Sequence, residues 1–180
     1  MKAILLTVIF LASTMNAAQE QQKPANEACG FTVSQDSTAP SITGPDDLTP
    51  LVYVVDQPDS PIQIVSVDLK GMWLSVSNNR YTAHHCAKYQ VRNRSNQVVR
   101  SAEIMLGING RGGFGAIDSQ PISSGQTVEL NACNGGGSGS MPGSSVKLVV
   151  FVQSIGFADC MYRPSVRIPR NLGVQPVWGN

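Results

Sequence analysis

The chain has 180 residues, of which 42% are hydrophobic and 14% charged, and its formal net charge at pH 7 is +1. A charge so close to zero gives no reason to expect sequence-specific binding of nucleic acid, and the length suits one domain with a sizeable core. The charge is unevenly distributed. Positions 19 to 68 carry eight acidic residues and one lysine, whereas positions 69 to 180 carry four acidic and eleven basic residues.

The first 18 residues have the three parts of a secretory signal peptide. Lys2 is followed by the apolar run AILLTVIFLA and then by small and polar residues that end at Ala17 and Ala18. Ten apolar residues are too few to cross a hydrocarbon core of about 30 Å, and no later run approaches the required length, so we predict no transmembrane span. We predict a cleaved signal over residues 1–18 and a secreted or periplasmic protein; the alternative is an uncleaved N-terminal anchor.

Residues 19–50 are poor in apolar side chains and rich in Pro, Ser, Thr, Gln and Asp. Such a composition cannot bury enough apolar surface to offset the entropy that is lost on ordering. We therefore predict a flexible polar leader, in which only Cys29 and Phe31 are suited to tie the segment to the body of the protein.

From residue 51 onward, apolar residues occur in short runs that are separated by turn residues and show no helical period. This pattern predicts a single all-β domain over residues 51–180. Seven or eight short strands without an internal repeat favour a two-sheet antiparallel sandwich, and the turn sequences SNN and RSNQ predict a meander over residues 72–108. The predicted strands are 51–55, 62–69, 72–76, 81–93, 98–108, 127–132, 146–157 and 165–168.

Three segments, YQVRNRSNQVVRSAEIML, ISSGQTVEL and VKLVVFVQSIGFADCMYRPS, together resemble the immunoglobulin-like β-sandwich modules of bacterial exported proteins. In those modules a strand that ends in xNxS turns into its neighbour, a GxT turn opens the next-to-last strand, and the final hairpin carries a turn of the type FxDGxx(W/Y). Here FADCMY has Cys160 in place of the glycine. The resemblance covers residues 62–165 and implies an immunoglobulin-like fold with a binding or structural role and no catalytic residues.

Both histidines of the chain, His84 and His85, lie in the predicted strand YTAHHCAKYQVRN. Neighbouring side chains of a regular strand point to opposite faces, so His85 joins the apolar set with Ala87 and Tyr89, and His84 joins the polar set with Cys86. Two divergent histidines without a third cannot complete an ordinary zinc or copper site. We predict no metal and no cofactor, with His85 in or near the core and His84 on the surface.

The four cysteines predict two disulfides in an oxidising compartment. In TVELNAC, Cys133 falls at outward parity, as Cys86 does in its own strand, so the two can form a bridge if their strands are neighbours. Three connectivities are possible for four cysteines. We favour Cys86–Cys133 together with Cys29–Cys160 over a pairing of Cys133 with Cys160.

No segment has a convincing catalytic motif. The GxGxxG pattern within GINGRGGFGAIDS lacks the helix that a dinucleotide site requires, and CNGGGSGSMPGSS lacks the GxSxG spacing of a hydrolase, so we predict that both are flexible loops. Glu103 and Glu129 fall at outward parity and do not form the carboxylate pair of a glycosidase. We predict that the protein is not an enzyme. The sequon NRS at Asn93 matters only in a eukaryotic secretory pathway.

The sequence predicts a non-catalytic structural or binding module of the envelope or extracellular space, whose partner is an unknown protein or an envelope polymer. The alternative is a carbohydrate-binding module, for which an exposed Trp73 or Trp178 would be the discriminating feature. A small metal-binding protein or a hydrolase is a third and weaker alternative.

A basic patch around the turn RNRSNQ is the candidate site for an anionic polymer. We expect the turn to bring these side chains together between two paired strands and to bind weakly and in a salt-sensitive way. The candidate residues are Lys88, Arg92, Arg94 and Arg100.

Overall fold

Ten β-strands provide most of the regular structure of the described residues, and the prediction of an all-β fold is confirmed. The structure is a computed structural model that describes residues 29–35, 38–109, 111–118, 120–140 and 146–172. The predicted signal peptide and Trp178 lie outside these residues. The strands are β1 (Ser41–Thr43), β2 (Val52–Val54), β3 (Ile62–Asp68), β4 (Trp73–Ser77), β5 (Arg80–Asn93), β6 (Ser101–Ile108), β7 (Arg111–Asp118), β8 (Thr127–Ser140), β9 (Leu148–Gly156) and β10 (Met161–Tyr162), with 3-10 turns at Thr49–Leu51 and Arg170–Leu172.

The first sheet is built around β5, which has 14 residues. Along one edge, β5 pairs with β8 in antiparallel register over almost its whole length. On the other edge, β4 pairs with the first half of β5 and β3 pairs with the second half, while β1 adds to β3 in parallel. The turn between β4 and β5 contains Asn78 and Asn79 at φ values of 49° and 56°. These positive values are typical of the type I′ turn that favours a tight hairpin.

The second sheet is built around β9. Strand β6 pairs with one edge of β9 and then with β7, while β2 and β10 share the opposite edge of β9. The pairing of β2 with β9 is parallel, and the other pairings of this sheet are antiparallel. Each sheet therefore has five strands and a mixed topology.

One apolar cluster contains side chains of both sheets and forms the main core. Tyr89 and Val91 of the first sheet, and Ile104, Leu106 and Val150 of the second, are completely buried. Burying a side chain of this size contributes about 1.5–3 kcal/mol. The apolar side chains of the strands thus point into a space that the two sheets share, as in a β-sandwich.

The predicted antiparallel arrangement is wrong at two pairings, because β1 and β2 run parallel to their neighbours. The meander predicted over residues 72–108 is correct only for the β4–β5 hairpin. The continuation into β6 is wrong, because β5 and β6 belong to different sheets. The segment between them therefore crosses from one sheet to the other.

The boundary predicted at residue 51 differs from the structure. Within the described part of the predicted leader, Phe31 and Leu48 are buried, and Ser41–Thr43 forms β1 on the edge of the first sheet. Phe31 stacks on Phe157 at a centroid distance of 5.1 Å and meets the edge of Tyr162 at 4.9 Å. A few apolar side chains are enough to dock this polar segment, because Phe31 and Leu48 are buried in the main core cluster.

Two glycine-rich segments that were predicted to be flexible loops are strands. GINGRGGFGAIDS contains β7, and CNGGGSGS is the second half of β8. Glycine has no strand preference of its own, so the neighbouring strand determines its conformation. The predicted strand at 165–168 is absent among the described residues, and the short β10 lies before it instead.

Candidate functional site

The alternation of faces along β5 is as predicted. Ala83, His85 and Tyr89 are buried, while His84 lies on the opposite face and is partly exposed. The Nε2 atom of His85 lies 3.3 Å from the Tyr89 hydroxyl. Burial, and secondly the charge of His84, lowers the pKa of His85 from its usual 6.5 to about 4. His85 is therefore a neutral core residue at physiological pH.

No three side chains of His, Cys, Asp or Glu converge to a possible metal site in the part of the chain that the structure describes. The two histidines diverge across the sheet, and Cys86 is engaged in a disulfide. Among the same residues, no helix has the length and apolar character needed to cross a bilayer.

Both predicted disulfides are confirmed. Cys86 of β5 lies directly opposite Cys133 of β8, and the bridge joins the two strands on the outer face of the first sheet. Cys29 and Cys160 are joined across a Cα–Cα distance of 5.7 Å and attach the N-terminal segment beside β10. Such bridges are typical of proteins in a non-reducing, extracytoplasmic environment.

The four basic residues of the predicted patch are distributed over both sheets. Lys88 and Arg92 lie on the outer face of β5, and the Lys88 ammonium is 3.5 Å from the Glu129 carboxylate. Arg100 precedes β6, and its backbone amide donates to the carbonyl of Gly156 in the second sheet. The two strands that were expected to hold the patch together are therefore not paired.

Arg94 has a structural role, because its side chain binds backbone carbonyls. Its Nη2 donates to the backbone carbonyls of Gln57, Pro58 and Ser60 at 3.2, 3.4 and 2.8 Å. Its own backbone amide donates to the carbonyl of Pro61. The guanidinium thus fixes the connection between β2 and β3, which leaves it poorly placed to bind a polymer.

The most distinctive surface of the described residues is the outer face formed by β4, the first half of β5 and the second half of β8. We call it the Trp73 face. Trp73 is 51% exposed, more than half of its surface. Three cross-strand rows make up the face: Trp73–His84–Gly136, Ser75–Thr82–Ser138 and Ser77–Arg80–Ser140.

The Trp73 face is polar apart from its indole. Four of its residues carry serine hydroxyls and one a threonine hydroxyl, and the remaining polar groups are the His84 imidazole and the Arg80 guanidinium. All nine residues are exposed except His84, which is partly buried. The face contains no carboxylate, so an uncharged hydroxyl-rich ligand would meet donors and acceptors beside one aromatic surface.

Close packing holds the Trp73 face in shape. The Cys86–Cys133 bridge follows the row of Trp73 along β5 and β8. A Cβ at Gly71 would lie 2.8 Å from the Cys86 sulfur, and a Cβ at Gly139 would lie 2.7 Å from the Tyr81 ring. The glycines are thus required where a sulfur and a ring lie against the backbone.

A cleft of about 310 Å³ between β2 and β3 is the second candidate. Its lining includes the apolar side chains of Val54, Ile62 and Ile64. Two amide groups at the cleft are already engaged: Gln57 bonds the backbone of Val152, and Gln63 donates to the carbonyl of Thr38. Asp56 and Arg94 also line the cleft, and the Arg94 guanidinium is engaged by backbone carbonyls of the β2–β3 connection.

Comparison of the chain with protein-family models, curated proteins and solved structures yields no match. The surface must therefore be interpreted from its own geometry. The sequence predicts Trp73 or Trp178 as the discriminating residue and places Ser138 and Ser140 in a loop; Trp178 lies outside the described residues. The alternation of serine with glycine in GGSGS is a period of two, and it is the signal that could have placed both hydroxyls on one strand face.

Proposed function

We propose that this protein is an exported, non-catalytic binding module that acts in the envelope or extracellular space and holds its ligand on the Trp73 face. The observation that carries this proposal is the 51% exposure of Trp73 on an ordered sheet surface. Isolated apolar side chains are ordinary on protein surfaces. A tryptophan in a cross-strand row with polar side chains, on a strand that pairs with β5, is a stronger feature because it combines a large contact area with an ordered backbone.

The energy available from Trp73 is substantial. A tryptophan buries about 150–250 Å² when it is covered. Covering the exposed half would remove about 100 Å² of mostly apolar area from water, which is worth about 2.5 kcal/mol at 25 cal/mol per Å². The backbone is already ordered by pairing with β5, so little of this energy is lost to conformational entropy.

Binding of an anionic polymer by the basic residues is less well supported. Lys88 lies beside Glu129, and Arg94 bonds three backbone carbonyls. An exposed ion pair of this kind contributes at most about 1 kcal/mol and is screened by salt. Weak, salt-sensitive association through Lys88 and Arg92 remains a secondary prediction.

An immunoglobulin-like topology and a secretory signal peptide are also part of the proposal. The two disulfides and the two-sheet arrangement support an exported sandwich domain. The parallel pairings of β1 and β2 depart from a simple antiparallel module. A purely structural role is the competing interpretation, and the exposure of Trp73 favours binding over it.

The direct experiment is co-sedimentation of the purified protein with the insoluble envelope fraction of the producing cells. We expect Trp73→Ala to lower the retained fraction by about tenfold or more, which corresponds to about 1.4 kcal/mol. Met161→Ala is the matched control, because Met161 is 64% exposed on the second sheet. Equal retention of the wild-type protein and the Trp73 variant would refute the proposal, as would a lack of retention of the wild-type protein.

A further inference from the structure

We infer, on the basis of the proposed function, that the ligand of the Trp73 face is a neutral glycan chain that stacks a sugar ring on Trp73 and hydrogen-bonds to the adjacent hydroxyl row. A sugar ring combines a face of C–H groups with a rim of hydroxyls. The Trp73 face has the complementary set, since the indole lies in the row next to Ser75, Thr82 and Ser138.

The spacing of the rows suits an extended ligand. Adjacent rows are two residues apart along each strand, which is about 6.6–6.8 Å, and neighbouring strands lie about 4.8 Å apart. Each row therefore offers a new set of side chains at roughly the length of a sugar unit. A chain that runs along β5 would pass from Trp73 to the Ser75–Thr82–Ser138 row and then to Arg80.

The charge of the face indicates a neutral ligand. Arg80 is the only arginine among these nine residues, which include no lysine and no carboxylate. A hydroxyl can both donate and accept hydrogen bonds, so these side chains match the hydroxyls of an uncharged sugar. One guanidinium gives little attraction for a polyanion at physiological salt, where the screening length is about 8 Å.

The composition of the face favours a glycan over a protein. Protein interfaces of stable complexes bury about 800 Å² on each partner, with an apolar core in which aromatic residues, methionine and arginine are enriched and serine is depleted. Here one large apolar side chain stands among five hydroxyl residues. The nearby exposed Val76 belongs to the opposite parity of β4, because it pairs with Tyr81 rather than with a residue of the face.

The surface is preorganised for a weakly bound polymer. The Cys86–Cys133 bridge braces β5 against β8 one row from Trp73. The glycines Gly136 and Gly139 keep β8 close to β5, and Tyr81 packs over Gly139 from the other side of the sheet. Fixing the donors before binding reduces the entropy cost that each contact must offset.

The experiment uses the full mature protein and soluble neutral polysaccharides as probes: a β-glucan, an α-glucan, a galactomannan and a mannan, with an anionic uronate polymer for comparison. The chain has two tryptophans, so Trp178→Phe leaves Trp73 as the single reporter. We expect at least one neutral polysaccharide to shift the Trp73 fluorescence in that variant and to retard the protein in affinity electrophoresis. About 1 M salt shortens the screening length to about 3 Å and so removes electrostatic attraction between exposed charges. Binding of a neutral polysaccharide should therefore be unchanged in about 1 M salt.

The variants separate the contacts. Trp73→Ala should weaken binding by about tenfold or more, Trp73→Phe should weaken it less, and the double change Ser75→Ala with Thr82→Ala should weaken it by an intermediate factor of several-fold. Met161→Ala and Lys88→Ala are the controls and should bind as the wild type does. Unchanged melting temperatures should accompany all of these surface changes.

The outcomes distinguish this inference from the proposed function. If no neutral polysaccharide binds while envelope retention still depends on Trp73, the glycan inference is wrong and the binding module remains. If only the uronate polymer binds and salt abolishes that binding, the inference is also wrong and the basic residues are the site. If neither glycan binding nor envelope retention depends on Trp73, both proposals fail.

Discussion

The side-chain amide of Gln57 hydrogen-bonds both backbone groups of Val152. The amide nitrogen of Val152 donates to Oε1 at 2.7 Å, and Nε2 donates to the Val152 carbonyl at 3.0 Å. Nε2 also donates to the carbonyl of Ser165 at 3.3 Å. Strand β2 ends at Val54, and β10 begins to pair with β9 only at Ile155. A glutamine side chain therefore takes the place of a strand along this stretch of β9.

Replacing Gln57 with alanine should lower the free energy of unfolding by roughly 3 kcal/mol. The change leaves a buried amide and a buried carbonyl of Val152 without their partner, and each such group costs about 1–3 kcal/mol. Gln63→Ala is the matched control, because Gln63 Nε2 donates to Thr38 in an exposed position; it should cost less than about 0.5 kcal/mol. Urea denaturation of the two variants measures the difference, and equal values would contradict the role of Gln57.

Removing the Cys86–Cys133 disulfide should lower the melting temperature strongly. The bridge closes a separation of 47 residues, for which the chain-entropy estimate is about 4 kcal/mol. Because the bridge also braces the Trp73 face, Cys86→Ala with Cys133→Ala should reduce Trp73-dependent retention on the envelope fraction. Thermal unfolding and co-sedimentation of the double variant are the measurements.

Removing the Cys29–Cys160 disulfide should be costly as well. Sequence reasoning expected this bridge to hold a flexible leader, but the structure buries Phe31 between Phe157 and Tyr162. The bridge closes a separation of 131 residues, which corresponds to about 5 kcal/mol in the same estimate. Cys29→Ala with Cys160→Ala should lower the melting temperature and also open residues 29–35 to protease. A melting temperature equal to that of the wild type would show that Phe31 alone docks the segment.

His85 should make the protein less stable in acid. The unfolded chain takes up a proton on this side chain near its ordinary pKa of about 6.5, whereas burial lowers the pKa of His85 in the folded protein to about 4. The stability that the neutral, buried His85 contributes is therefore fully present above about pH 6.5. It is lost as the pH falls toward about 4, which lowers the free energy of unfolding by on the order of 3 kcal/mol.

The comparison of His85→Gln with His84→Gln isolates this effect. His84 lies on the other face of β5, so His84→Gln should keep most of the acid dependence and serves as the control. His85→Gln should have lower stability at pH 7 but a flatter profile between pH 6.5 and 4. Urea denaturation curves over that pH range measure the two profiles. Parallel profiles for both variants would show that His85 is not the source of the acid dependence.

Asn93 should be among the least replaceable residues of the turn after β5. Its Nδ2 donates to the carbonyls of Gln97 and Ile122, both at 2.8 Å, and its Oδ1 accepts from the amide and hydroxyl of Ser95 at 2.9 and 2.7 Å. Asn93→Ala should cost about 3 kcal/mol, because several buried groups lose their partner at once. Asn131→Ala, at an exposed position of β8, should be nearly neutral.

The same contacts bear on the sequon NRS. The Nδ2 atom that would carry a glycan is engaged in two hydrogen bonds, and the side chain is completely buried. Folded protein produced in a glycosylating host should therefore be unmodified at Asn93. Intact-mass analysis of the folded fraction tests this, and a glycan on correctly folded protein would contradict the observed environment of Asn93.

Several features could be predicted from the sequence because they depend on short-range geometry. The period of two along YTAHHCAKYQVRN fixed which side chains of β5 are buried, including His85 and Tyr89. The same parity placed Cys86 and Cys133 on outward faces, and the structure pairs them across adjacent strands. Turn chemistry likewise located the β4–β5 hairpin, since asparagine tolerates a positive φ.

Other features were decided only by the tertiary structure. The turn RNRSNQ indicated a reversal of the chain, but not that β6 joins a different sheet from β5, because strand partners are selected by long-range packing. Glycines of β7 and β8 carry no preference for a strand, and their neighbours impose it. Parity can assign Trp73 to a face of β4, yet only the assembled sheets determine whether another layer covers that face. In this protein no described layer does, and the exposed indole is the feature on which the proposed function depends.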